Sequence, residues 1–85
     1  METLSQLMED KSQNRVELIK NIFCEKLRNI RIEKTYSQKT VAEKLGIHIS
    51  TYANWEQGRR EPSIFDIYNL MYVLDIDANE LFLPD

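Results

Sequence analysis

The sequence predicts an all-α domain, and two observations lead to this fold class. The 85 residues include only two Gly and two Pro, so turns are few, which suits a helical bundle better than a sandwich or barrel. Apolar residues recur at three- and four-residue spacing along most of the chain, as they do on amphipathic helices. The single cysteine, Cys24, excludes an internal disulfide and a cysteine-based metal site. We expect it to be a small buried residue rather than a catalytic thiol.

Residues 1–14 are polar and weakly patterned, and we expect them to form a flexible N-terminal extension to a domain that covers residues 15–85. The alternative is one short amphipathic turn that docks on a partner. The opening stretch has no continuous apolar run, and nothing later approaches membrane-spanning length. We therefore expect no signal peptide, no membrane association and a reducing cytoplasmic location.

The first helix is predicted over residues 15–34, where neither Gly nor Pro interrupts the pattern. Thr35 and Tyr36 break the pattern and end the helix. The residues expected to form its core stripe are Val16, Ile19, Ile22, Phe23, Leu27 and Ile30.

Two short helices joined by a tight turn are predicted next. Ser37 can cap a helix over residues 38–45, and Gly46 can adopt the left-handed conformation that ends a helix at low cost. A third helix, over residues 49–57, ends at Gly58 in the same way. The inward-facing residues are expected to be Val41, Ala42, Leu45, Ile47, Tyr52 and Trp55.

Pro62 and Ser63 are expected to open a fourth helix, with Ser63 as its cap. Asp77 is expected to cap a short fifth helix that ends before Pro84. The predicted core stripe of the fourth helix is Ile64, Ile67, Leu70, Met71 and Leu74, and the fifth helix holds Leu81 and Phe82.

Charge is distributed unevenly along the chain, whose formal net charge is -3. Residues 26–60 carry eight basic and three acidic side chains, whereas residues 61–85 carry six acidic and no basic ones. Residues 1–25 carry three basic and five acidic side chains. A basic middle segment between acidic ends can face phosphates while the rest of the surface repels them, which orients docking on nucleic acid.

The two short central helices have a geometry that suits DNA recognition. The major groove of DNA is about 12 Å wide and admits one helix, while the preceding helix braces across the backbone. Ser50 and Asn54 lie four residues apart on one helix face and carry short polar groups that can reach base edges.

Residues 27–82 resemble the phage repressor and Cro type of helix-turn-helix, the family of XRE-like transcriptional regulators. The resemblance depends on S-Q-x-x-x-A-x-x-L-G-I, W-E-x-G-x-R-x-P-S and L-x-I-D-x-x-E-L-F, in that order and spacing. It implies a five-helix lambda-repressor-like DNA-binding domain, here with an extended N-terminal helix or arm, and double-stranded DNA as the partner.

The resemblance also implies roles for individual residues. Arg31 and Glu56 match an internal ion pair, which explains a carboxylate in a segment that faces DNA. Ile49 departs from the polar residue that is common at its position. The expected base contacts are Ile49, Ser50 and Asn54, and the expected phosphate contacts are Ser37, Gln38, His48, Thr51, Arg59 and Arg60. For His48, which has no metal-binding partners in the sequence, the alternative is a helix cap.

The fourth helix carries more apolar groups than one core requires, because Phe65, Tyr68 and Tyr72 recur beside its core stripe. One hypothesis is a homodimer, and the other is that residues 16–23 of the first helix cover these rings within one chain. The candidate dimer-interface residues are Phe65, Tyr72, Phe82 and Leu83.

These observations favour a sequence-specific transcriptional regulator, a repressor, that needs no cofactor. An enzyme is not expected, because the sequence has no metal-spaced cluster, phosphate-binding glycine loop or pair of nucleophile and base. The alternative function is an antitoxin-like or regulatory interaction module that binds a protein partner through its N-terminal extension or acidic C-terminal part.

Overall fold

The computed structural model describes residues 12–85, which form five α-helices and no strand. The helices are α1 Ser12–Glu33, α2 Gln38–Leu45, α3 Ile49–Glu56, α4 Ile64–Leu74 and α5 Ala78–Phe82. The five-helix all-α prediction is therefore confirmed. Helix α1 begins three residues earlier than expected, and the rest of the expected N-terminal extension lies outside the described residues. No helix within residues 12–85 is both long and apolar enough to cross a bilayer.

The core lies where α1 packs against α3 and α5, and where α2 packs against α3 and α4. Two aromatic contacts contribute to it. The rings of Phe23 and Phe82 stack at 5.5 Å, and Tyr52 meets Trp55 edge-on at 6.1 Å. All the inward-facing residues predicted on α2 and α3 are buried, and Ile47 packs against them. The largest fully buried side chains are Leu27, Val41, Tyr52, Leu70, Leu74 and Leu81.

Three residues expected in the core are exposed instead. Ile64 is 75% exposed because it is the first residue of α4 and the core begins one turn later. Val16 and Ile19 are 53% and 40% exposed. Helix α1 has 22 residues and is about 33 Å long, far longer than the eight-residue helices beside it. Its N-terminal turns therefore border an open groove, together with Pro62 and Ile67, rather than the core.

Four helices end in the same hydrogen-bonded turn, in which a residue with positive φ follows the helix and the next amide donates to a carbonyl five residues back. The φ angles are 62° at Thr35, 73° at Gly46, 73° at Gly58 and 53° at Asp75. The corresponding bonds, of 3.0 to 3.1 Å, are Tyr36 N to Arg31 O, Ile47 N to Ala42 O, Arg59 N to Asn54 O and Ile76 N to Met71 O. These turns reverse the chain within a few residues and bring the helices into contact.

The predicted N-caps Ser63 and Asp77 are confirmed. Ser63 Oγ accepts from the amide of Asp66 at 3.1 Å, and the Asp66 carboxylate accepts from the amide of Ser63 at 2.9 Å, which completes a capping box. Asp77 accepts from the amide of Glu80 at 2.9 Å. In the acidic C-terminal part, α4 and α5 are therefore each stabilised by side-chain hydrogen bonds at their N-termini.

Thr35→Gly is expected to raise the free energy of unfolding by about 0.5 to 1 kcal/mol. The left-handed conformation costs a residue with a side chain about 1–2 kcal/mol, and part of that gain is offset because glycine loses more entropy on folding. Urea unfolding measures the change. Gly46→Ala is the matched control and should destabilise through backbone conformation alone, since an added Cβ would meet no atom within 4 Å. A less stable Thr35→Gly protein contradicts this account.

Candidate nucleic-acid interface

Helix α3 presents one face to the core and the opposite face outward. Tyr52 and Trp55 are buried, which turns positions 49, 50 and 54 away from the interior. Ile49 is 42% exposed, Ser50 is exposed and Asn54 is half-buried. The three residues expected to contact bases are therefore together on the outer side of one helix.

The last residue of this helix, Glu56, carries a buried carboxylate on its inner side. Only 3% of the Glu56 side chain is exposed, and Arg31 of α1 forms an ion pair with it. Arg31 Nε donates to Oε2 at 2.6 Å and Nη2 donates to Oε1 at 3.1 Å, so the contact is bidentate. The pair that the resemblance implied is thus present, and it joins α1 to α3.

Two further donors complete the bonding of Glu56. The Tyr52 hydroxyl donates to Oε2 at 2.5 Å, and Gln38 Nε2 donates to Oε1 at 3.1 Å. Arg31 Nη1 also donates to the backbone carbonyl of Tyr36 at 3.0 Å. One carboxylate therefore connects α1, the first residue of α2, and α3. We call Arg31, Gln38, Tyr52 and Glu56 the Glu56 network.

The network sets the protonation of its members. Burial alone would raise the pKa of the Glu56 carboxyl, but the hydrogen bonds from Arg31, Tyr52 and Gln38 outweigh it and hold the pKa below its usual value. Burial, together with the bond to Glu56, raises the pKa of the Tyr52 hydroxyl. At neutral pH Glu56 is therefore ionised and Tyr52 is a donor, and the charge of Glu56 is balanced by Arg31 within the fold.

The N-termini of α2 and α3 are both capped by exposed side chains. Ser37 Oγ accepts from the amide of Thr40 at 2.9 Å, as predicted. His48 Nδ1 accepts from the amide of Ser50 at 3.2 Å. His48 is therefore the N-cap of α3, which agrees with the alternative interpretation of this residue. Thr51, one of the expected phosphate contacts, is half-buried in the first turn of α3.

Two exposed arginines follow α3 at the edge of its outer face. The backbone amides of Arg59 and Arg60 donate to the carbonyl of Asn54 at 3.0 and 3.4 Å. The loop is therefore folded back onto the end of α3. These bonds fix the backbone positions of the two arginines close to Asn54, the residue expected to contact a base.

The aromatic residues of α4 form an apolar surface on a different part of the domain. Phe65 and Tyr72 are 83% and 82% exposed, so the hypothesis that α1 covers these rings within one chain is wrong. Helix α1 instead packs against α3 and α5. Phe82 stacks on Phe23, and Leu83 is exposed beside it.

Sequence reasoning missed the role of two residues in the Glu56 network. Tyr52 was expected only as a core residue, and Gln38 as a phosphate contact. The (i, i+4) spacing of Tyr52 and Glu56 was a usable signal for their bond, but nothing in the sequence indicates that Gln38 turns toward Glu56.

Cys24 is half-buried rather than fully buried, and its thiol donates to the carbonyl of Trp55 at 3.3 Å. Burial raises the pKa of this thiol, so at neutral pH it stays protonated and lacks the thiolate that a nucleophile requires. Within residues 12–85 no group of three His, Cys, Asp or Glu side chains lies close enough to hold a metal ion.

Comparison with known proteins gives matches over the same part of the chain. The helix-turn-helix family profile matches residues 27–81. The HTH-type transcriptional regulator YqaE of Bacillus subtilis is 35% identical over 60 residues, which are 71% of this chain and 52% of YqaE. YazB of Bacillus subtilis, also an HTH-type transcriptional regulator, is 38% identical over 64 residues, 75% of this chain and 93% of YazB. The chain thus spans about half the length of YqaE and nearly all of YazB.

A solved structure shares this arrangement of helices. The restriction-modification controller protein C.AhdI from Aeromonas hydrophila superposes with a TM-score of 0.69 at 37% sequence identity. The superposition covers 79% of this chain and 98% of C.AhdI.

Protonation of Glu56 is expected to destabilise the domain at low pH. Because its folded-state pKa is lowered, its contribution to stability is present above the unfolded-state pKa of about 4.3. That contribution is lost as the pH falls through the folded-state pKa. The difference in unfolding free energy between the wild type and Glu56→Gln should therefore be constant near neutral pH and shrink in acid. Urea unfolding between pH 7 and pH 3 measures it.

The control for this experiment is Glu43→Gln, which removes one carboxylate at an exposed position on α2. If the difference in unfolding free energy from the wild type changes with pH in the same way for both substitutions, the loss of stability in acid does not come from the Glu56 network.

Proposed function

This chain belongs to the helix-turn-helix family of DNA-binding transcriptional regulators, and we propose that it represses transcription by inserting α3 into the major groove of a specific DNA site. The observation that carries the proposal is the Glu56 network. It bonds α3 to α1 and α2 from the inner side and leaves the outer face of α3 free for contact. A helix held in this way enters the groove at a fixed angle.

The proposed base contacts differ in what they can discriminate. Asn54 can pair bidentately with N6 and N7 of adenine, a contact worth about 1–3 kcal/mol of discrimination. Ile49 offers an exposed apolar side chain, which suits a thymine methyl group. Ser50 presents a hydroxyl one residue further along the same helix.

The proposed phosphate contacts surround α3 on both sides. Gln38 has two amide hydrogens, of which one is bonded to Glu56, so the other remains for a phosphate oxygen. Ser37, His48 and Thr51 lie in the first turns of α2 and α3, and Arg59 and Arg60 lie beyond the end of α3. These contacts supply affinity that depends on salt and not on sequence.

We further propose that the functional form is a homodimer. The exposed aromatic rings of Phe65, Tyr68 and Tyr72 recur along α4, and a monomer gains nothing by leaving such a surface in water. A two-fold dimer would place two copies of α3 about 34–36 Å apart, one turn of DNA. A regulator of this kind would act in the cytoplasm, where it meets DNA.

Selection of bound duplexes from a random pool tests the proposal. We expect an enriched site composed of two inverted half-sites whose centres are about 10 base pairs apart. A single half-site would contradict the dimer and leave DNA recognition standing. If no duplex is enriched at low salt, the DNA-binding proposal fails and the alternative of a protein-interaction module replaces it.

Two substitutions separate base contact from phosphate contact on the selected site. Asn54→Ala is expected to reduce discrimination at one base pair by about 5- to 150-fold. Arg60→Ala should weaken binding to all duplexes about equally and reduce the salt dependence by about one phosphate contact. Competition binding at several salt concentrations measures both. Unchanged base preference with Asn54→Ala means that Asn54 does not contact a base.

A further inference from the structure

The N-cap of α3 has a second contact besides the backbone bond. His48 Nδ1 lies 3.2 Å from the backbone nitrogen of Ser50 and 2.8 Å from Ser50 Oγ. Both side chains are exposed at the start of α3. The pair therefore lies at the N-terminal end of the helix whose outer face carries the proposed base contacts.

The backbone amide of Ser50 determines which nitrogen of the His48 ring carries a hydrogen. An amide N–H can only donate, so His48 Nδ1 must accept. The single N–H of the neutral imidazole is therefore on Nε2. Because Nδ1 has no hydrogen to offer, the hydrogen in the 2.8 Å contact must come from the hydroxyl of Ser50. Nδ1 thus accepts from two groups of the same residue, its amide and its hydroxyl.

This bond changes what Ser50 can offer to a base. A free serine hydroxyl rotates and can either donate or accept, so it discriminates poorly between bases. With its hydrogen directed to His48, the oxygen of Ser50 can only accept. In the major groove the amino groups of adenine N6 and cytosine N4 are donors, whereas guanine O6 and thymine O4 are acceptors.

We propose that His48 is a specificity-determining residue that acts through Ser50, so that the base which Ser50 contacts on one strand is adenine or cytosine and the inverted pairs are disfavoured. His48 is a positioning residue in this role, because its ring orients a hydroxyl and need not touch a base. Its Nε2–H remains a donor for a phosphate oxygen. The inference rests on the proposed insertion of α3 into the major groove and specifies one part of its readout.

The first step of the test identifies the base that Ser50 contacts. Duplexes are selected from a random pool with the wild type and with Ser50→Ala, and the position whose preference disappears in Ser50→Ala is the contacted one. We expect adenine and cytosine, read on the same strand, both to be favoured there, each about fivefold over the inverted pair, as one hydrogen bond implies. A preference that groups adenine with guanine or with thymine on the same strand, or identical selected sites for both proteins, overturns the proposal.

The second step compares two substitutions of the positioning residue on four duplexes that differ only at that base pair. His48→Ala frees the hydroxyl, so the preference should fall to within about twofold. In His48→Asn the side-chain oxygen accepts from the same amide and hydroxyl, so the preference should be kept. The measured quantity is a ratio between duplexes, and partial unfolding of a variant does not change it. A His48→Ala protein that keeps the wild-type preference overturns the proposal.

The experiment also separates this inference from the proposed function. If wild-type protein enriches no duplex, DNA recognition itself has failed and Ser50 has no base to contact. If wild-type protein enriches a site and His48→Ala selects the same bases at every position, DNA recognition stands and the role of His48 is wrong.

Discussion

The carboxylate of Glu56 is the point where α1, α2 and α3 are joined, and the position of the outer face of α3 depends on it. A carboxylate beside a surface that meets phosphates would repel them if it were exposed. Here its side chain is 3% exposed and accepts four hydrogen bonds, two of them from Arg31. The negative charge of Glu56 is therefore balanced by Arg31 inside the fold and does not repel the phosphates of DNA.

Such a pair contributes more to geometry than to stability. A buried ion pair and a well-packed apolar replacement are often of similar stability, whereas removal of one partner costs about 3–5 kcal/mol because the other charge is left buried. Apolar contacts, however, have no direction. The bidentate contact with Arg31, the Tyr52 hydroxyl and the Gln38 amide each require one orientation, and together they leave little freedom for α3 to rotate or slide.

The sequence was sufficient for the parts of the fold that depend on local signals. Gly46, Gly58, Ser63 and Asp77 mark helix ends through known turn and cap chemistry, and all four lie where that chemistry predicts.

Other features depend on contacts between distant residues and could not be predicted. Thr35 is a β-branched residue at a φ of 62°, which local preference disfavours and which accompanies the bond from the Tyr36 amide to the Arg31 carbonyl at the end of α1. Ile64 was assigned to the core because α4 is apolar around most of its surface, so periodicity could not identify the buried side. The orientation of Gln38 toward Glu56 and of Ser50 toward His48 follows from three-dimensional placement, and the sequence has no pattern for either.

The most direct test of this account is the ratio of affinities for the selected duplex and a random duplex, measured with Arg31→Met and with Arg28→Met. Arg28 is an exposed arginine on the same helix, so the two proteins have equal charge. Circular dichroism must show both to be folded at the temperature used. We predict that Arg31→Met lowers the ratio about tenfold, comparable with a mismatched base pair, and that Arg28→Met keeps the wild-type ratio. Equal ratios for the two variants would contradict the claim that the Glu56 network positions α3 for DNA.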